Sequence, residues 1–264
     1  MDSTKPDQRV EVFSMPTAQE LPIALPEPGI PLEQDSEWCV ARVNERWSEF
    51  RFHDYGDIYD VPGLYERLFY DVLECRSPST VCGLLADGLA AEGEVPESLR
   101  GIDLGAGNGI MGEELRRLGV EHLSAVDIID SAARASARDR PQVYDAYHVA
   151  DMTAPPEDVR HELKEQEINL LTCVAALGFG DIPPDAFCNS YDLVADEGWV
   201  AFNIKDEFLR TEDRSGFRVM IDDAIADDVM TVCKQKRYRH RLATNGEPID
   251  YMAIVARKNR SFSG

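Results

Sequence analysis

The sequence predicts an α/β fold: a mainly parallel sheet flanked by helices and closed by an antiparallel hairpin at its C-terminal end. Three observations predict it. Gly101-Ile102-Asp103-Leu104-Gly105-Ala106-Gly107-Asn108-Gly109 reads as a buried strand running into a glycine-rich turn, with a helix over Ile110 to Gly119. Downstream, strand-like and helix-like runs alternate, the pattern that gives a parallel sheet. The C-terminal part differs, reading as two long strands, 229–242 and 249–258, joined by a turn over 244–248.

Taken in order, Met1 to about Asp35 is proline-rich and lacks periodicity, so residues 1–35 are expected to form an extended arm, flexible or draped over the body. Leu21, Ile23, Leu25 and Ile30 are apolar enough to dock. Residues 36–98 read as a helical cap. Trp38, Val40, Val43 and Trp47 recur at helix spacing after a Ser36 cap, Leu64 to Leu73 marks a second helix, and Ser77-Pro78 starts a third. The core is expected over 99–260. Its strands are 101–104, 124–129, 143–150, 167–174 and 198–204, with helices at 183–194 and 217–226.

The glycine turn carries most of the functional information. Glycines there permit positive φ and leave no Cβ between main chain and ligand, and the next helix offers free N–H groups and a positive dipole end. Gly107-Asn108-Gly109-Ile110-Met111-Gly112 matches a dinucleotide pattern. Asp103 argues otherwise: a carboxylate at the strand end repels a pyrophosphate and tolerates a cation. Here the chain resembles the class I S-adenosylmethionine-dependent methyltransferases, small-molecule and methyltransferase-like types included. Their first motif is an acidic residue, a spacer and G-x-G-x-G, matched by Asp103, Gly105, Gly107 and Gly109.

The resemblance implies a Rossmann-like sheet that takes S-adenosylmethionine as cofactor. Asp127, ending the second strand, would bond the ribose hydroxyls, as it would in either Rossmann-type family. Ile128 would pack on the adenine, and Asp151 and Met152 would grip its edge. Ala106, Asn108 and Val174 would line the same site. Each aspartate alone reads equally well as a helix cap. Tyr55 and Tyr59, in the polar-aromatic run Phe52 to Asp60, are similar to the lid tyrosines that close over the methionine end of the cofactor.

Catalytic candidates are fewer. Methyl transfer needs alignment above all, and proximity and orientation supply about 7–11 kcal/mol; a base is needed only for a protonated nucleophile. His53 is the candidate base. Asp181 either orients a polar substrate group or caps the helix from Pro183. Phe179 and Lys205 are candidate substrate contacts.

The chain has 264 residues and a net charge of −22, which disfavours nucleic acid and anionic membranes as partners. Its six cysteines form no C-x-x-C pair, and the histidines show no metal-ligand spacing, so no metal and no disulfide framework are expected. With neither a signal segment nor a long apolar span, a cytoplasmic location is expected. The reading is a methyltransferase for a small molecule. Its rivals are an NAD-dependent Rossmann oxidoreductase and a non-catalytic adapter that keeps the fold.

Overall fold

The computed structural model describes residues 21–27, 32–178, 181–210 and 214–262. Its centre is a seven-stranded sheet. The strands are β4 (Arg100–Leu104), β5 (His122–Asp127), β6 (Ala146–Val149), β7 (Leu170–Cys173), β8 (Trp199–Lys205), β9 (Met230–Leu242) and β10 (Pro248–Lys258). They run in the order β6-β5-β4-β7-β8-β10-β9. The first five are parallel, and β10 lies antiparallel between β8 and β9. Parallel sheet plus closing hairpin is the expected architecture.

Alternation along the strands divides the core into two layers. Val200, Phe202 and Ile204 of β8 join Ile102 and Leu104 of β4 on one face. There they meet α6 (Glu157–Glu165), α7 (Pro184–Tyr191) and α8 (Phe217–Ala226) through Leu163, Phe187 and Phe217. Trp199 and Ala201 face the other way, onto α3 (Ser77–Glu92) and α4 (Ile110–Leu118). Helix α5 (Asp130–Asp139) packs on β5 and on α1 (Tyr55–Asp60).

The N-terminal region departs from expectation. Trp38 to Trp47 is no helix but an antiparallel hairpin, β2 (Trp38–Val43) and β3 (Arg46–Arg51). Asn44 and Glu45 both take positive φ, 48° and 64°, as a two-residue hairpin turn requires. The buried period is two and is carried by Cys39 and Ala41, while Trp47 faces solvent. A short strand β1 (Ile23–Ala24) adds to β2, so these described residues of the proline-rich arm are docked, with Leu21, Ile23 and Leu25 in the hairpin's apolar cluster. Ile30 lies outside the described residues. The expected second helix is α2 (Leu64–Glu66) running into a π turn at Arg67–Val72.

Candidate functional site

The strand order reverses at β4, with β5 and β6 on one side and β7 and β8 on the other. Ligands of open α/β sheets bind beyond the strand carboxyl ends at such a point. A cavity of about 490 Å3 lies there, inside the range of about 300–1,000 Å3 usual for small-molecule sites. Leu104, Gly105, Val126, Asp127 and Val174 line it from the strand ends, Ile128, Asp151 and Met152 from the loops after β5 and β6, and Tyr55, Tyr59 and Tyr65 from α1 and α2.

Asp127 is the best-held polar group in this cavity. One carboxylate oxygen accepts the N–H of Gly107 at 2.9 Å and the other that of Ile129 at 2.9 Å. Burial raises its pKa, and those backbone N–H groups work against the rise. Each oxygen keeps a further lone pair, which suits two neighbouring hydroxyls. Beside it, Ile128 is 59 % exposed and presents apolar surface to anything flat that enters. Met152 is buried in the same wall, and Asp151 accepts Thr153 N–H and O–H at 2.8 and 2.7 Å, which lowers its pKa.

The glycine turn itself is not bare. A Cβ at Gly107, where φ is +54°, would lie 2.4 Å from the Tyr59 hydroxyl. Tyr59 therefore covers the main chain that the sequence suggested was open. Ala106, Gly107, Asn108 and Gly109 lie outside the cavity lining. The Asn108 amide donates to Glu66 at 2.6 Å, and Arg140 donates to the same carboxylate at 2.7 Å. These bonds tie the turn to α2.

Asp103 is also off the cavity. Alternation sends Ile102 and Leu104 to one face of β4 and Asp103 to the other, where it is 1 % exposed. The Tyr144 hydroxyl donates to one carboxylate oxygen at 2.5 Å and Thr172 to the other at 2.7 Å. Burial pushes its pKa up to about 6, against those two hydrogen bonds. Asp103 is thus buried between the Tyr144 and Thr172 hydroxyls and does not line the cavity.

His53 and Asp181, 128 residues apart, meet at the cavity edge with Nδ1 3.1 Å from Oδ2. Asp181 does not cap α7, whose N-cap is Pro183 with no side-chain cap bond. Lys205 pairs with Glu207 at 2.5 Å, away from the cavity lining. Phe179 lies outside the described residues. Tyr65 and the hydroxyl partners of Asp103 escaped sequence reasoning. Tyr65 sits on an apolar helical stripe, and nothing local marks Tyr144 or Thr172 as facing a carboxylate. Among the described residues no group of three or more His, Cys, Asp or Glu could hold a metal ion.

No family model matches the sequence, and no curated protein matches it. Solved structures do match. The N-methyltransferase NodS from Bradyrhizobium japonicum, in complex with S-adenosyl-L-homocysteine, has a TM-score of 0.54 at 12 % identity, covering 78 % of this chain and 97 % of its own. An S-adenosylmethionine-dependent methyltransferase from Clostridium acetobutylicum scores 0.51 at 10 % identity, covering 74 % and 96 %. A candidate RNA methyltransferase from Pyrococcus horikoshii scores 0.50 at 14 % identity, covering 70 % and 87 %. The fold is that of the class I methyltransferases. In this methyltransferase fold the cavity occupies the strand-order reversal, and His53 reaches it from the segment between β3 and α1.

Proposed function

We propose that the chain is an S-adenosylmethionine-dependent methyltransferase acting on a small molecule. The observation that carries this reading is Asp127, a backbone-clamped carboxylate at the end of β5, facing a cavity at the strand reversal. The donor set fits the nucleoside: Asp127 for the ribose hydroxyls, Ile128 and Met152 for the adenine faces, Asp151 for its edge. Gly105, Val174, Tyr55 and Tyr59 line the remaining length. The complex of NodS with adenosylhomocysteine supports the choice of cofactor. An NAD-dependent enzyme would be expected to carry a second mononucleotide half where this chain has the β9–β10 hairpin.

Bound there, S-adenosylmethionine supplies an electrophilic methyl carbon. His53 serves as base. With Asp181 ionised, the imidazole donates from Nδ1 and presents Nε2 as acceptor for a proton from the nucleophile. The histidine's orientation then comes from Asp181, a positioning residue. A protonated nucleophile at a partly enclosed site points to a small molecule, and the net charge of −22 holds polyanions off. No helix among the described residues is long and apolar enough to cross a membrane.

Calorimetric titration with S-adenosylmethionine, adenosylhomocysteine and NADH tests the cofactor. Binding of the first two alone supports the proposal, and binding of NADH alone overturns it. Incubation of cell extract with enzyme and methyl-labelled cofactor then tests the reaction. Label in a small molecule supports it, whereas cofactor binding without any label transfer, with a protein partner co-purifying, favours the adapter.

A further inference from the structure

Ala175 follows the end of β7, lines the cavity and takes a φ of +59°. Among the described non-glycine residues with positive φ, it is the one that reaches the cavity wall. An alanine has no side-chain hydrogen bond to offset that conformation, so its surroundings must hold it there. The holding group is on the neighbouring strand.

Asn203 of β8 shares a face with Trp199 and Ala201 and is fully buried. Its Oδ1 accepts the Ala175 N–H at 2.6 Å. Its Nδ2 donates to the Tyr238 hydroxyl at 2.6 Å and to Ser77 Oγ at 3.0 Å. Those two hydroxyls lie 2.7 Å apart. Ser77 Oγ is also 2.6 Å from Nδ1 of His240, a ring that burial keeps neutral, with Arg241 adding to the effect. A flipped amide would set Nδ2 against the Ala175 N–H, donor to donor, so the side chain has one satisfied orientation. Helix α3, through Ser77, and strand β9, through Tyr238, thus fix Asn203, and Asn203 fixes the backbone at Ala175.

What hangs from that turn is half of the His53–Asp181 pair. Leu177 and Gly178 bridge to Ile182, and the Asp181 N–H donates to the Gly178 carbonyl at 3.0 Å, which ties 177–182 into one compact unit. This unit rests on the glycine turn: a Cβ at Gly105 would lie 2.7 Å from Ile182 Cδ1 and 2.9 Å from Ala176 Cβ. The direction in which the chain leaves Ala175 therefore bears on where Asp181 stands, 3.1 Å from His53 Nδ1.

We propose that Asn203 is a positioning residue: by holding Ala175 in the left-handed conformation, it keeps Asp181 within hydrogen-bond reach of His53. Asn203 itself lies outside the cavity lining and acts only through the main chain. The positioning stands on geometry alone; its bearing on turnover rests on the methyltransferase reading.

The test reads the His53 ring by proton–nitrogen NMR of the full chain at about pH 8, because an imidazole's tautomer follows the hydrogen bonds it makes. With Asp181 in place, His53 is expected to carry its proton on Nδ1. Asn203→Leu keeps the branched shape of the side chain and removes both polar atoms. In that variant the Nδ1–H form should fall from the major to the minor tautomer. Label transfer to the extract molecule that the wild type methylates should drop roughly 10–100-fold, while adenosylhomocysteine affinity falls far less. Asn203→Asp keeps Oδ1 and should restore both readouts, with Ser77 and Tyr238 turning to donate. Should Asn203→Leu fail to fold, Asn203→Ser, too short to reach Ala175, takes its place. Three results overturn the inference: a folded variant that retains the Nδ1–H form, an Asn203→Asp chain no better than Asn203→Leu, or adenosylhomocysteine affinity lost as steeply as turnover. If adenosylhomocysteine does not bind the wild type at all, the methyltransferase reading falls, and the tautomer alone decides the positioning.

Discussion

Asp127 ends β5 and Asp103 is the penultimate residue of β4 beside it, yet they do opposite things. Asp127 faces the cavity, and Asp127→Ala should cost adenosylhomocysteine affinity roughly 1.5–3 kcal/mol, the range for a hydrogen bond to a charged group. Calorimetry measures this, and unchanged affinity would remove Asp127 from the site. Asp103 instead titrates. Folded, its carboxyl holds a proton up to about pH 6; the ordinary value is 3.8. Between those values the folded chain binds more protons than the unfolded one, so this group's contribution to stability is lost as pH rises from about 4 to about 6. Asp103→Asn abolishes that loss. Urea unfolding at pH 4 and at pH 6.5 should show the variant gaining up to roughly 3 kcal/mol on the wild type. A difference that stays constant with pH would contradict the protonated carboxyl. For His53→Gln, turnover should fall about 10²–10⁴-fold, with adenosylhomocysteine affinity retained.

Among elements, the segment over the glycine turn is the one that geometry tests most sharply. Gly107→Ala places a methyl group 2.4 Å from the Tyr59 hydroxyl at a φ of +54°, so it should destabilise the chain by about 1–3 kcal/mol. Tyr59→Phe removes the clashing oxygen and leaves the ring carbon at 3.2 Å. The double variant should therefore be more stable than the two single costs predict, by about 0.5–3 kcal/mol. Additive costs would show that the tyrosine does not rest on the turn.

Legibility also divides by element. Strands β4, β5, β7 and β8 were readable because burial on both faces makes them largely apolar runs, whereas β6, with no buried residue, was marked by the Asp151 that follows it. The 38–51 hairpin was not readable, since its buried side chains are the small Cys39 and Ala41. The large residues beside them are less buried and happen to fall at helical spacing. Asn44-Glu45 carried the turn but is no Asn-Gly pair. His53 and Asp181 could each be singled out, but their meeting depends on how the 52–54 segment docks over the loop after β7, which no local pattern encodes.

For the molecule as a whole, the surplus of 22 negative charges sets what it can approach. A fluorescent single-stranded RNA should show no saturable anisotropy change at micromolar protein and low salt. Tight binding under those conditions would move the acceptor to nucleic acid. Against that background the last strand of the sheet is an exception. β9 pairs only with β10 among the described residues and carries Lys234 and Lys236, while its Arg237, Arg239 and Arg241 are each paired with carboxylates of the same chain. Two copies brought together along that border would set the lysine ammonium groups face to face. The seven-stranded layer therefore resists being extended by its own kind, and crowding alone will not turn it into a template for fibrils.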